Sequence, residues 1–250
     1  MAYYTCLLLD VDNTLLDFDA AERKALADTL IHYELPHDDA ALTAYHQVNR
    51  RLWDSLAKGE LNRNKLFAVR FGQFLKALNL PDNGKGREMN DYYEEQLALH
   101  ADLMPGALTA LNELAEVATL AIVSNGAHKV QMSRIRDAGL ERFLDGVYIS
   151  EKVGAAKPNA RIFDAALRDL GVTNRSRVLV VGDDLLADIR GGRNAGLDTC
   201  WVNFDRRDND TGIEPKFTVD SYEALYRIVM EPEELENIGA RNRRHQNEGI

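Results

Sequence analysis

The chain has 250 residues, a formal net charge of −10 and 45% hydrophobic residues. That length allows one large domain, or a domain carrying an inserted module, with enough apolar residues for a sizeable core. The acidic balance argues against non-specific binding to nucleic acid or to an anionic membrane, and it makes a polyanionic substrate awkward unless a metal or local cations invert the field at the site.

Thr5-Cys6-Leu7-Leu8-Leu9 is short, apolar and followed by a polar turn, the pattern of a strand buried on both faces. Similar runs recur at Leu120–Val123, Val147–Ile149, Val178–Val181 and Thr199–Val202. Helical spacings lie between them. Leu108, Leu111 and Leu114 read as one face, and Ile162, Phe163, Ala166, Leu167 and Leu170 as another, with Gly171 placed to end that helix. Strands alternating with helices predict a parallel sheet covered by helices on both sides.

The stretch 17–103 breaks this rhythm and carries only helical spacings. Leu42, Tyr45, Val48, Leu52, Trp53 and Leu56 form one face, Phe67, Phe71, Phe74, Leu75 and Leu78 a second, and Met89, Tyr93 and Leu97 a third. Pro36, Pro81 and Asn83-Gly84-Lys85-Gly86 punctuate them, and Pro105-Gly106 marks the return to the α/β pattern. The expected organisation is an α/β core over 1–16 and 104–230, an inserted helical domain over 17–103 and a polar tail over 231–250 with a basic cluster from Ala240 to His245. Cys6 and Cys200 lie in apolar runs and read as buried free thiols. No apolar stretch approaches the ~20 residues of a membrane span, and Met1 opens no signal-peptide pattern, so a cytoplasmic location is expected.

Carboxylates follow two of the buried strands. Asp10 and Asp12 stand two apart at the end of the first, and Gly182-Asp183-Asp184, with Asp188 one helical turn on, follows the fourth. In an open α/β sheet, strand ends face the ligand crevice. One carboxylate there can attack phosphorus while another moves a proton. Asp-x-Asp-Asn is also good turn material, so the first pair alone does not decide the matter. Asp10 and Asp183 are candidate ligands for Mg²⁺, a hard cation that takes oxygen donors, with Asp188 nearby or bridged through water. Asp184 can cap the helix that begins there. Ser124-Asn125-Gly126 follows another strand and opens a helix, a place for an anion or simply a cap. Lys157, before Pro158, is a point charge suited to phosphate and to the aspartates.

Asp10-Val11-Asp12-Asn13-Thr14-Leu15, Ser124-Asn125-Gly126, Lys157-Pro158 and Gly182-Asp183-Asp184-x-x-x-Asp188 together resemble the four ordered motifs of the haloacid dehalogenase-like hydrolase superfamily, over about residues 5 to 205. The resemblance implies a doubly wound Rossmann-like parallel sheet with an inserted helical cap. It implies Asp10 as nucleophile and Asp12 as general acid and base, with the Asp12 main-chain carbonyl on Mg²⁺. Ser124, Asn125 and Lys157 would bind the phosphoryl group, and Asp183 the metal. It also separates phosphatases from dehalogenases, since a halide leaving group needs no proton and so no Asp12. Asp184 is a departure, because many relatives carry Ser, Thr or Asn there.

A narrower resemblance rests on Val48-Asn49-x-x-Leu52-Trp53, Val153-Gly154-x-Ala156-Lys157-Pro158-Asn159 and Gly191-Gly192-x-Asn194-Ala195-Gly196-Leu197-Asp198-Thr199-Cys200-Trp201, which look like bacterial pyrimidine 5′-nucleotidases. It implies a nucleoside monophosphate substrate, with Asn49 and Trp53 as contacts, Tyr45 as a further candidate, and a monomer or homodimer. A phosphatase for phosphoglycolate or sugar phosphates shares the same core. A receiver-type phospho-acceptor module is half this length and leaves Gly182-Asp183-Asp184 unexplained. A non-catalytic binding protein has no need of Asp10, Asp12, Lys157 and Asp183 together. No Gly-x-x-x-x-Gly-Lys-Ser/Thr string occurs, so a nucleoside-triphosphate motor is excluded.

Overall fold

A computed structural model describes residues 1–232. The elements run β1 (Cys6–Leu9), α1 (Phe18–His32), α2 (Asp39–Ala57), α3 (Arg63–Ala77), α4 (Gly86–Leu97), α5 (Ala107–Ala115), β2 (Thr119–Ser124), α6 (His128–Asp137), β3 (Gly146–Ile149), α7 (Ser150–Val153), α8 (Ala160–Asp169), β4 (Val178–Gly182), a π-helical turn (Leu185–Ile189), α9 (Arg190–Asn194), β5 (Asp198–Val202), β6 (Phe217–Val219) and α10 (Tyr222–Met230). The tail expected over 231–250 lies, from residue 233 on, outside the described residues.

The six strands form one sheet in the order β3-β2-β1-β4-β5-β6, with every neighbouring pair parallel. β1 alternates between two cores. Leu7 and Leu9 pack on one face with Leu111, Ile122, Val181 and Ile228, while Cys6 and Leu8 pack on the other with Val123, Phe163 and Val180. Burial on both faces is why these strands read as continuous apolar runs. Both cysteines are buried and unpaired. Chain order reverses beside β1, between β2 and β4, and such a switch point opens a crevice at the carboxyl ends of the strands.

Two local readings change. Leu108 is exposed, and the buried face of α5 is Ala107, Ala110, Leu111 and Leu114. Leu108 and Leu114 differ by six residues, about 120° apart around a helix, so both cannot face one narrow seam. β6 was not anticipated, because three residues are too few for a period-two pattern to register.

Helices α1 to α4 form a cap-like block with its own core of Leu26, Tyr45, Phe71, Phe74, Met89 and Tyr93, into which Val130 of α6 also packs. Asp17, Asp38 and Asn62 cap α1, α2 and α3 by accepting from Ala20, Ala41 and Lys65 amides. The two connecting segments pair where they cross. Asp17 N–H donates to the Asp102 carbonyl at 2.9 Å, Met104 N–H to that of Leu15 at 2.9 Å, and Leu16 bridges Leu103. Further out, Arg63 donates to the Gly126 carbonyl at 2.8 Å and pairs with Glu151 at 2.6 Å, while Arg190 reaches the Ala57 carbonyl at 2.8 Å. These contacts seat the helical block over the sheet crevice.

Leu8 is fully buried at the centre of the sheet. Leu8→Ala is expected to cost about 2–5 kcal/mol through lost transfer energy and a residual cavity, read as a lower urea midpoint with an unchanged slope.

Candidate active site

The sheet delivers the predicted residues to one place. Leu9 pairs with Ile122 and with Val181, so the residues just past β1, β2 and β4 emerge together. Asp10 N–H still donates to the Val181 carbonyl at 2.8 Å, which fixes Asp10 as the first residue beyond the ladder. Ser124 ends β2, and Asp183 follows β4 by one residue.

The turn after β4 returns Asp188 against the strand end. Asp184 makes this turn by accepting from the amides of Leu186 at 2.7 Å and Ala187 at 3.0 Å. Its own N–H donates to Asp188 Oδ2 at 3.2 Å. Asp184 is therefore an exposed helix cap rather than a member of the acid cluster. A Cβ on Gly182 would stand 2.3 Å from the Asp188 carboxyl group, so only glycine allows this approach.

Lys157 Nζ lies 2.5 Å from Asp10 Oδ1, 2.6 Å from Asp188 Oδ1 and 2.8 Å from the Val123 carbonyl. Asn125 holds the lysine from behind. Its Nδ2 donates to the Lys157 carbonyl at 2.9 Å, and its Oδ1 accepts from the Lys157 amide at 2.8 Å. The side chain of Asn125 is thus committed to Lys157. Ser124 Oγ accepts from Gly126 N–H at 3.1 Å and from Gln131 Nε2 at 2.8 Å.

The Asp12 side chain is held apart from the other carboxylates. Gln131 Nε2 donates to Asp12 Oδ2 at 2.7 Å, and Arg134 pairs with Asp12 Oδ1. Gln131 and Arg134 were not singled out from the sequence. The signal was present but faint: two polar residues interrupt the buried stripe Val130, Gln131, Arg134, Ile135 of α6.

Asp10, Asp183 and Asp188 each present an oxygen within 4.8 Å of the others. Lys157 answers Asp10 and Asp188, and Arg207 lies 3.4 Å from Asp183 Oδ2 at the half-exposed edge, so the three carboxylates still outnumber the cations that meet them. Burial, reinforced by the neighbouring carboxylates, raises all three acids above their ordinary range, with Lys157 opposing the rise at Asp10 and Asp188. Burial also works against the Lys157 charge, but Asp10 and Asp188 overcome it and hold the ammonium above its usual range. An all-oxygen donor set with a net negative charge fits a hard divalent cation such as Mg²⁺. Arg207 reaches the Asp183 carbonyl at 3.0 Å, and Trp201 Nε1 donates to the same oxygen at 2.9 Å, so the backbone of this ligand is fixed.

A cleft of about 760 Å³ runs from the acid cluster to the helical block, within the size of small-molecule sites. Asn49 and Trp53 both line it, with Phe67, Arg70 and Tyr93. Tyr45 does not; it is fully buried in the helical core. Asn49 Nδ2 donates to the buried Glu22 at 2.7 Å, while its Oδ1 receives only a long 3.5 Å contact from Arg70. Glu22 also takes His46 Nδ1 at 2.9 Å, which raises the imidazole above its ordinary range. Arg70, which donates to Asn90 Oδ1 from Nε at 3.1 Å and Nη2 at 2.7 Å and is stacked on Tyr93, braces the same wall. The Glu22 and Arg70 contributions were not legible beforehand, since they come from different helices.

The fold and site define a hydrolase that works through buried carboxylates at the switch point of a parallel sheet. Residues 4–196 match the family model of the haloacid dehalogenase-like hydrolases, and the chain belongs to that family. It is similar to the HAD-hydrolase YfnB of Bacillus subtilis, 34% identical over 92% of this chain and 97% of that protein. A solved structure of YfnB bound to magnesium superposes with a TM-score of 0.85, covering 90% of this chain and 98% of the other. The pyrimidine 5′-nucleotidase YjjG of Escherichia coli is 36% identical over 89% of this chain and 96% of its own length. The pyrimidine 5′-nucleotidase PynA of Streptococcus pneumoniae is 32% identical over 89% and 94%. The aspartate cluster is thus the Mg²⁺ site of a phosphoric monoester hydrolase. No helix among the described residues is long and apolar enough to cross a membrane.

The raised acids give a signed pH prediction. The metal-free native state holds protons longer than the unfolded chain, so the cluster's contribution to stability falls as pH rises from about 4 through the raised native values. Mg²⁺ displaces those protons, so the rise in melting temperature on adding Mg²⁺ over EDTA is expected to grow from pH 5 to pH 8. Paired melts across that range check it.

Proposed function

We propose that the protein removes phosphate from nucleoside 5′-monophosphates, with pyrimidine nucleotides preferred. The observation that carries the reading is the separation of two kinds of carboxylate around one cleft. Asp10 lies in the cluster with Asp183, Asp188 and Lys157, while Asp12 is held separately by Gln131 and Arg134. This separation supports a reading in which one carboxylate attacks and the other moves a proton.

In this reading Asp10 attacks phosphorus in line with the ester oxygen. The phosphorus–oxygen bond breaks, and Asp12 gives its proton to the departing nucleoside oxygen. Asp12 then takes a proton from water, which attacks the phosphoaspartate and releases inorganic phosphate and free Asp10. Lys157 and Ser124 receive the phosphoryl oxygens, and Asn125 keeps Lys157 in place. Asp10, Asp183, Asp188 and the Asp12 main-chain carbonyl are the proposed holders of Mg²⁺, which when bound screens charge on the phosphoryl group.

The nucleotide preference draws on the helical wall of the cleft and on the similarity to YjjG and PynA. With Nδ2 committed to Glu22, the Asn49 Oδ1 retains capacity to accept from a base N–H. Trp53, edge-on to Phe67 at 6.3 Å, offers an aromatic surface for the base. We assign residues 1–16 and 104–230 to the catalytic core and 17–103 to a cap that opens near 16–19 and 103–106 to admit substrate. Cap seating would exclude bulk water from the phosphoaspartate.

Phosphate release from UMP, dUMP and dTMP with Mg²⁺ is expected to exceed that from purine monophosphates, sugar phosphates and phosphoglycolate. EDTA should abolish it, and Asp10→Asn should reduce kcat by about a thousandfold or more. Turnover that survives both changes defeats the mechanism, and a flat rate across the panel defeats the nucleotide preference. Asn49→Ala and Trp53→Ala are each expected to raise KM for UMP about tenfold, with a smaller change for p-nitrophenyl phosphate.

A further inference from the structure

Arg134 is the largest fully buried side chain among the described residues. It springs from α6, in the sheet-bearing part of the molecule, yet its guanidinium touches both segments that lead to the helical block. Nε donates to the His100 carbonyl at 2.9 Å, on the return segment after α4. The guanidinium carbon sits 5.6 Å from the ring centroid of Phe18, the first residue of α1. Nη1 pairs with Asp12 and also donates to Gln131 Oε1 at 3.2 Å. A planar fork of five donors cannot shift one partner without shifting the others.

We propose that Arg134 is a positioning residue that couples the seating of the helical cap to the place of the Asp12 carboxylate. The inference rests on the reading of Asp12 as the proton-transferring group. Three observations carry it. The two connecting segments are hydrogen-bonded to each other through Asp17–Asp102 and Leu15–Met104, so Phe18 and His100 move as one unit. Gln131 spans Asp12 and Ser124, so displacement of the Asp12–Arg134 pair also reaches the phosphoryl end of the site. Arg134 Nη2 is buried with no protein hydrogen-bond partner among the described residues. A purely structural buried ion pair is expected to satisfy every donor. An arginine that serves two seats of the cap cannot satisfy all five in each. With the cap seated, the fork aims Asp12 at the cleft; with the cap lifted, His100 and Phe18 withdraw and Asp12 loses its bearing. The chemistry is then assembled only over bound substrate.

The test uses the full chain in a double-mutant cycle. Arg134→Gln is expected to lower kcat for UMP about a hundredfold, the scale of an ångström misplacement, with KM changed by less than about threefold. In an Asp12→Asn background the same substitution should change kcat by less than about twofold, because the coupling acts through Asp12. Arg134→Lys keeps the buried charge and loses the fork. It should fold if Arg134→Gln does not, and show a partial kcat loss that is likewise erased by Asp12→Asn. Spin labels at Lys76→Cys on α3 and Arg168→Cys on α8, both exposed positions, report the cap-to-core distance. Substitution of Arg134 should broaden that distribution. Additive slowing in the Asp12→Asn background, a pure KM effect, or an unchanged distance distribution each overturns the coupling. A wild-type chain inactive on every monophosphate removes the phosphatase reading, and the distance distribution then decides the mechanical link by itself.

Discussion

Three carboxylates crowd together beside one buried lysine. Asp10 and Asp188 meet Lys157 at the ends of the central strands, Asp183 stands beside them with Arg207 at its outer edge, and the cluster remains net negative without a divalent cation. Much of the surrounding structure follows from holding that arrangement. Gly182 is a glycine because the Asp188 carboxyl group occupies the space of a side chain. Asn125 spends both ends of its amide on the Lys157 backbone, and the Val123 carbonyl takes part of the ammonium. Asp184 is acidic without joining the cluster, since its carboxylate is absorbed by the amides of the turn it caps. The apolar strands beneath supply the rigid platform, with both faces of β1 buried.

The second organising feature is the junction between sheet and helical block. It is narrow in covalent terms, two chain crossings stitched by main-chain hydrogen bonds. Polar contacts on either side of it are few and specific. Arg63 and Arg190 fasten the far edge of the block, and Arg134 works at the crossings themselves. A few hydrogen bonds to carbonyl oxygens can break and reform at modest net cost, unlike an apolar interface. Such a junction suits the proposed opening of the block. Its inner wall carries a polar network through Glu22, Asn49, His46, Arg70 and Asn90, in which Asn49 Oδ1 is only lightly engaged. A wall preorganised in this way presents defined donors and acceptors to a substrate without first having to order them.

Most residues proposed for the chemistry stood out because they follow a strand or open a helix, and local pattern locates strand ends. Asp10, Ser124 and Asp183 were legible for that reason, Lys157 as the cation that a crowd of aspartates requires, and the all-helical character of 17–103 from its helical spacings. The residues that tune the chemistry were not. Gln131 and Arg134 occupy helical core positions, where a polar residue gains meaning only when the neighbour across the interface is known. Glu22, Arg70 and Asn90 come from three helices that no local period connects. Asn49 and Trp53 do line the cleft, whereas Tyr45, on the same helix and of similar character, is sealed in the helical core. Helix periodicity gives a direction around an axis and says nothing of which neighbour lies there.

The sequence by itself determined the alternation of strands and helices, the site of the insertion and the identity of the acid cluster, because these depend on contacts within a few residues and on side-chain chemistry that travels with the residue. Only the tertiary structure decided which partner each aspartate takes. Which carboxylate meets Lys157, which is claimed by Arg134 and which is spent on a helix cap depends on where separate strands end relative to one another. That relation is fixed by the parallel register of β1 with β2 and β4, a set of long-range hydrogen bonds that no single stretch of chain encodes.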